Sequence, residues 1–268
     1  MLHSRITLSA TAFYTAWLAE DLPEPHRALL APVNPADVSD VEGSVLGARR
    51  RGWDELRSLG LAHGERVHEH LADTLHLLAR SGVEYFGWFH HEDGGDTRSA
   101  LVVPAGNENV VRAVVAAGRI TLDTVRMPDP AAAFVALLPN VQPGQGGVVS
   151  LPAEEARGAA TGAGPGPQQE TGSFLMSASV ARPSGNTVRL KQILGQPRTG
   201  GGQLYTARRD PLGRRQRCPH PLTYFDTPSG RYLTHQAPGP DGRLWVTVGP
   251  ADARTLAARL HDLARSGN

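Results

Sequence analysis

The sequence predicts an α+β fold built on a central antiparallel sheet, and three observations carry that expectation. Two stretches, 83–125 and 203–248, alternate apolar and polar residues with a period of two and are cut by tight turns. That is the pattern of short strands buried on one face. Each stretch then runs into a proline-bounded turn and an Ala/Leu-rich helix, so that "TLDTVRMPDPAAAFVALL" (121–138) parallels "LWVTVGPADARTLAARL" (244–260). Ahead of each strand run, apolar residues recur instead at helical spacing. Together these point to a duplicated four-strand-plus-helix unit, with pseudo-repeats of about 61–142 and 184–266 inside one domain spanning 1–268. Two such units form one sheet about a pseudo-twofold axis, with helices packed at its faces.

Each element follows from local chemistry. Ser9 is placed to cap a helix running to about Glu20, with Phe13, Ala16 and Trp17 on one face. Residues 21–60 carry Pro23, Pro25, Pro32 and Pro35 and lack a period, although "GARRRGWDEL" suits a helix. A firmer helix is expected from Gly64 to Arg80, on a stripe of Val67, Leu71, Leu75 and Leu78, with Gly82 ending it. Four strands follow: "VEYFGWFHH" (83–91), "TRSALVV" (97–103), "NVVRAVVA" (109–116) and "RITLDTV" (119–125). Asp129 then caps a helix with Pro130 at its first position. The Gly/Pro/Ala-rich stretch 143–172 reads as a flexible connector, with a short helix around Pro152 to Gly158. "SGNTVRLKQILGQP" (184–197) is a helix capped by Asn186. Strands at 203–209, about 214–226, 231–236 and 243–248 are joined by "DPLG", "TPSG" and "GPDG". In each of these turns proline supplies a fixed negative φ and glycine a free positive one. "PADARTLAARLHDLAR" closes the chain as a helix.

Composition narrows the function. The 268 residues carry a formal net charge of +1, so the overall field gives no reason to expect nucleic acid or an anionic membrane as partner. One cysteine, Cys218, permits neither an internal disulfide nor a cysteine-based zinc cage. No run reaches the roughly 18 apolar residues of a membrane helix. The first residues, closed off by Glu20 and Asp21, do not read as a signal peptide. A cytoplasmic protein is the expectation.

Candidate chemistry is sparse. "TGGGQLYTARRDPLGRRQR" (199–217) combines a glycine run with Arg208, Arg209, Arg214, Arg215 and Arg217. A phosphate loop runs from a strand into a helix N-terminus, where backbone N–H groups meet the anion. Here the glycines follow a helix and lead into a strand, so they read as a flexible lead-in. The arginines lack the interleaved aromatics of a single-strand nucleic-acid site, and a solvated hairpin is the simpler reading. His90 and His91 are adjacent on a strand and point opposite ways. His63, His68, His70 and His76 offer no i, i+4 pair. No Gly-x-Ser-x-Gly elbow occurs. Neither metal nor cofactor nor catalytic residues are expected, and binding is favoured over catalysis. The competing classes are an arginine-rich nucleic-acid-binding or regulatory module and an enzyme using the histidines.

The C-terminal half resembles the EspG family of ESX (type VII) secretion-associated proteins of actinobacteria. The resemblance lies in "GGGQLYTARRDPLGRRQRCPHPLTYFDTPSGRYL" and "GPDGRLWVTVGPADARTLAARL", and the N-terminal "LSATAFYTAW" is also similar. It implies a central antiparallel sheet with quasi-twofold symmetry and N- and C-terminal helical bundles. It also implies a cytosolic chaperone that binds the exposed tip of the PPE protein in PE–PPE heterodimers, or another ESX-type helical-hairpin protein in a host without PPE proteins, and keeps that substrate soluble and secretion-competent. The partner surface it implies is a loop between two strands of the N-terminal half, the sheet and the C-terminal helical bundle. Here these are "HHEDGGDTR" and "NTVRLKQIL", which make Glu92, Asp93, Asp96 and Arg98 a candidate polar rim and Val188, Leu190 and Ile193 candidate apolar contacts. A monomer or weak dimer is expected.

Overall fold

The structure is a computed structural model and describes residues 1–31, 45–91, 96–160, 185–239 and 241–266. The first half opens with strand β1 (Ile6–Ser9), which runs straight into helix α1 (Ala10–Ala19). Ser9 caps that helix as its side chain accepts from the Ala12 amide at 3.0 Å. Helix α2 (Val45–Ser58) packs on α1, and Gly52 permits the approach, since a Cβ there would stand 2.1 Å from Thr15 Oγ1. A small hairpin, β2 (Ala62–His63) and β3 (Arg66–Val67), precedes helix α3 (Glu69–Arg80). The helix expected from Gly64 therefore starts later. Gly64 sits at φ +60° in the turn, and the His68 side chain caps the helix instead. Strands β4 (Val83–His90), β5 (Arg98–Ala105), β6 (Asn109–Ala116) and β7 (Arg119–Arg126) and helix α4 (Pro130–Val135) complete the half.

The second half repeats this plan. Strand β8 (Val149–Pro152) runs into helix α5 (Ala153–Ala160), and helix α6 (Gly185–Leu194) precedes β9 (Gly200–Arg209). Then come β10 (Arg215–Arg217), β11 (Leu222–Thr227), β12 (Gly230–Pro238), β13 (Leu244–Pro250) and α7 (Ala253–Ser266). The strand expected at 214–226 is thus two strands. Pro219 and Pro221 lack the N–H groups to continue a ladder, so β10 and β11 follow one another along the same edge of β9, with the Cys218 amide between them donating to Thr206 O at 2.9 Å. Asn186 lies inside the first turn of α6 rather than at its cap.

Sheet order is β1-β7-β6-β5-β4-β9-β11-β12-β13-β8, with β10 beside β9. The order is palindromic about the antiparallel β4–β9 seam, so a pseudo-twofold axis passes through that seam. The axis also relates β1–α1 to β8–α5. The repeat is therefore wider than 61–142 and 184–266, beginning at about residues 6 and 149.

The flexible connector expected over 143–172 is corrected for residues 143–160, while 161–172 lie outside the described residues. Val149 and Leu151 of β8 are buried, and β8 pairs with β13 from Val149↔Val248 to Pro152↔Trp245. Residues 142–145 are strapped to β12: Arg231 N donates to Gln142 O, Gly144 N to Arg231 O, and Tyr232 Oη to Gln145 O. Gly144 lies against the Tyr232 ring, where a Cβ would come within 2.3 Å. The short helix expected around Pro152 to Gly158 is present as α5, Ala153–Ala160, while the low-complexity composition conceals strand β8.

Alternation sorts the sheet into two faces. One carries Phe86, Leu101, Val111 and Leu122 under α1–α3, and Phe225, Tyr232 and Val248 under α5 and α6. The other carries Tyr85, Val102, Leu204, Leu222 and Leu233 under α4 and α7, which meet on the axis.

A buried ionic cluster ties the arginine hairpin to this frame. Glu84 on β4 is 1% exposed and faces Arg215 Nε at 2.7 Å and Arg209 Nη2 at 3.5 Å. Arg209 also donates to Ala79 O and Ser81 O at the end of α3. Arg214 pairs with Asp210, Arg208 reaches Ala264 O, and the Arg217 guanidinium stands 5.0 Å over the Tyr205 ring. The arginines expected to be merely solvated are structural ties.

His26 lies beneath this cluster with its pKa pushed down to about 3, first by burial and then by Arg215, Arg209 and Arg27. Its Nδ1 accepts from the Ala28 amide at 3.0 Å, so the neutral ring keeps its proton on Nε2, 3.7 Å from Glu84. Unfolded, a histidine titrates near 6.5, so below that pH the unfolded chain takes up a proton that the folded one refuses. Stability from this group is complete above about pH 6.5 and falls as pH drops towards 3. We expect a loss of about 2 kcal/mol between pH 6.5 and 5, read from urea midpoints. It should be largely absent in His26→Asn, whose side chain can still accept the cap bond. Parallel pH slopes for the two proteins would contradict the assignment.

Candidate functional site: a groove on the sheet

Between the α1–α3 group and the α5–α6 group the shared sheet face is only partly covered. The strand floor there comes from β4, β9 and β11. Gly200, Gly201 and Gly202 do not form a flexible lead-in; they are β9 itself, paired to His90 and Phe89 on one side and Asp226, Phe225 and Tyr224 on the other. A Cβ at Gly202 would stand 2.7 Å from Phe89 Cβ and from Trp88 O, and one at Gly201 would stand 3.0 Å from Tyr224 O. The glycines let the two halves of the sheet close at the seam, and they leave a trough where side chains would otherwise stand.

The trough is a shallow groove of about 350 Å³. Trp88, His90 and Thr97 form one wall, Thr223, Phe225 and Arg198 the other, and Gln203 closes one end. Along the axis the floor continues into aromatic rings. Tyr205 stacks on Phe86 at 5.3 Å, Trp88 meets Tyr205 edge-on at 6.0 Å, and the Tyr205 hydroxyl donates to Gln203 Oε1 at 2.8 Å. Arg198 lies flat on the Phe225 ring, its Cζ 3.4 Å from the centroid. Burial lowers its pKa, and Nη1 is shut away from solvent without a hydrogen-bond partner.

The residues expected to contact a partner are divided by the structure. Asp96 and Arg98 are exposed on the β4–β5 hairpin beside the groove, whereas Glu92 and Asp93 lie outside the described residues. Val188 is 43% exposed on α6, but Leu190 and Ile193 are 2% and 4% exposed and belong to the core with Phe225 and Tyr232. Those two are corrected from surface contacts to core residues: they occupy the inward stripe of α6, and Leu190→Asp would test folding. Sequence reasoning missed Trp88, Arg198, Gln203 and Thr223. Their only signal was the glycine run, which marks a place where strands approach closely and side chains are missing.

No group of three or more His, Cys, Asp or Glu residues is arranged to hold a metal ion among the described residues. His76 pairs with Glu20 at 3.0 Å and His261 with Asp129 at 2.8 Å. Cys218 is 3% exposed, and its sulfur accepts from the Thr206 amide at 3.4 Å. No helix of the described residues is long and apolar enough to cross a membrane.

The chain is thus an α+β protein with a doubled antiparallel sheet and a glycine-floored groove between two helix groups. Sequence comparison places it: the chain matches the EspG family over residues 9–262 and belongs to that family. Among solved structures it is similar to the Mycobacterium tuberculosis type VII secretion system chaperone EspG5, determined in complex with a PE25–PPE41 dimer. The identity is 17%, the TM-score 0.65, and the match covers 97% of this chain and 95% of that one. No curated protein shows significant similarity to the chain.

Proposed function

We propose that this protein is a cytoplasmic chaperone of a type VII secretion system that binds a PE/PPE-like helical heterodimer and keeps it soluble, without catalysing a reaction. The observation that carries the reading is the groove over Gly200–Gly202, in a chain of this family whose fold matches a chaperone solved with such a dimer. The surface is suited to the task. A substrate that must later be released calls for an interface of roughly 1,000–2,000 Å² with a small apolar centre and a polar rim. Trp88 and Tyr205 supply apolar area, Gln203, Thr97 and Thr223 supply hydrogen-bonding groups, and Asp96 and Arg98 stand at the margin. Against the nucleic-acid reading, Arg209, Arg214 and Arg215 are engaged in ion pairs and Arg217 lies over a ring.

The test is co-expression with the host's PE/PPE-like pairs, followed by light scattering on the purified product. A stable complex with one chaperone per heterodimer is expected. Gln203→Trp, which fills the groove from an exposed position, should weaken binding at least tenfold, about 1.4 kcal/mol, with its thermal midpoint preserved. If no pair is retained at micromolar concentration, or if Gln203→Trp binds as wild type does, the groove is not the substrate surface.

A further inference from the structure

We infer that Arg198 is a specificity-determining residue of the groove, and that it receives a carboxylate side chain carried on the tip of the bound helical substrate. This deepens the functional reading and rests on it.

Arg198 is a half-buried arginine whose charge no carboxylate answers among the described residues. Arg209 and Arg215 face Glu84, Arg231 grips Asp226, and Arg112 and Arg5 share Asp123. Arg198 makes no hydrogen bond or ion pair among the described residues; its contact is the face of Phe225. The carboxylate next to Phe225 on β11, Asp226, is spent on Arg231 through two bonds of 2.6 and 2.8 Å. A half-buried cation without a counter-charge destabilises the free chain, because water is withdrawn and nothing replaces it. An unpaired N–H shut away from solvent adds to that penalty.

The site is nonetheless built. The Phe225 ring holds the guanidinium in one plane, and the chain enters it from Pro197, whose φ is fixed. Arg198 lines the groove together with the neutral Trp88, Thr97, Gln203 and Thr223, the glycine run, and His90. A planar fork of N–H donors held in one orientation matches a carboxylate in a two-pronged arrangement and discriminates against neutral groups. A ligand carboxylate at the groove lip would supply the missing counter-charge through Nε and Nη2, the nitrogens that are not shut away with Nη1. It would also fix the direction in which the helical tip enters, since the cation stands on one wall only.

The experiment uses the full chain and the PE–PPE heterodimer that co-purifies with it. Arg198→Met keeps a flexible side chain that packs on Phe225 but removes charge and fork; Arg198→Lys keeps the charge alone. Arg198→Met should weaken binding at least tenfold while its own thermal midpoint stays equal to or above that of wild type. A residue with a merely structural role would lower the midpoint instead. The wild-type dissociation constant should rise more steeply with salt than that of Arg198→Met, and Arg198→Lys should recover only part of the affinity. A dimer that binds wild type and Arg198→Met alike would overturn the carboxylate assignment and leave the chaperone reading intact. Full recovery by Arg198→Lys, or a lowered midpoint in Arg198→Met, would also overturn it. If wild type retains no PE–PPE dimer at all, the functional reading fails and this assignment falls with it.

Discussion

Replacing Asp226 by alanine should cost about 3–5 kcal/mol of folding stability, a large share of the roughly 5–15 kcal/mol that holds a typical domain together. The pair is almost wholly dry: Arg231 and Asp226 are 1% and 3% exposed, joined by bonds of 2.6 and 2.8 Å across the β11–β12 ladder. The Arg231 guanidinium also lies 4.6 Å over the Tyr224 ring, and its backbone amide holds Gln142. Removing the carboxylate leaves a fixed cation with neither water nor counter-charge. Removing both charges should be milder, because the larger part of the penalty is the abandoned partner rather than the lost attraction. Urea unfolding of Asp226→Ala, Arg231→Met and the Asp226→Leu/Arg231→Met double variant decides the matter. A double variant no more stable than Asp226→Ala would falsify this account of the pair.

Deleting residues 145–160 should abolish cooperative folding of the second half. The segment contributes the edge strand β8 and helix α5, and with them Val149, Leu151 and Ala156 against Leu190, Ile193, Phe225, Tyr232 and Val248. Burying a Val or Leu side chain is worth about 1.5–3 kcal/mol, so losing these together with the β8–β13 ladder costs on the order of 5 kcal/mol or more. Leu190 and Ile193, stripped of their cover, would face water. Hydrogen exchange should show β12 and β13 opening first, with α1–α3 and β5–β7 protected longer. A deletion variant that unfolds in one transition at the wild-type urea midpoint would restore the view of this stretch as a dispensable linker.

How much was legible in the sequence depends on what each residue reports. The strands β4–β7 and β11–β13 were readable because alternation records one buried face directly, and Ser9, Asp129 and Pro130 announced their helix starts. The β4–β9 seam could be anticipated only as symmetry, since pairing between residues over a hundred positions apart leaves no local trace. The helix α5 was expected around Pro152 to Gly158, but β8 and the strap at Gly144 were hidden because they sit in a small-residue stretch that shares its composition with linkers. The groove was hidden for a related reason: its defining feature is side chains that are missing at Gly200–Gly202. Arg198 was unreadable because its neighbours Phe225 and Asp226 arrive from another strand, and whether a charge is answered is decided only by the fold.

The two outermost strands have a consequence for the molecule as a polymer-forming hazard. A sheet this wide would ordinarily invite a second copy to add on laterally, since a free strand margin is a ready template. Here each margin is four residues long, Ile6–Ser9 on one side and Val149–Pro152 on the other, and each turns at once into a helix. Pro152 also withholds one donor. An incoming strand finds a foothold too short to register, so the sheet is self-terminating at both ends, and its broad middle can stay open to a client without becoming a seed for its own assembly.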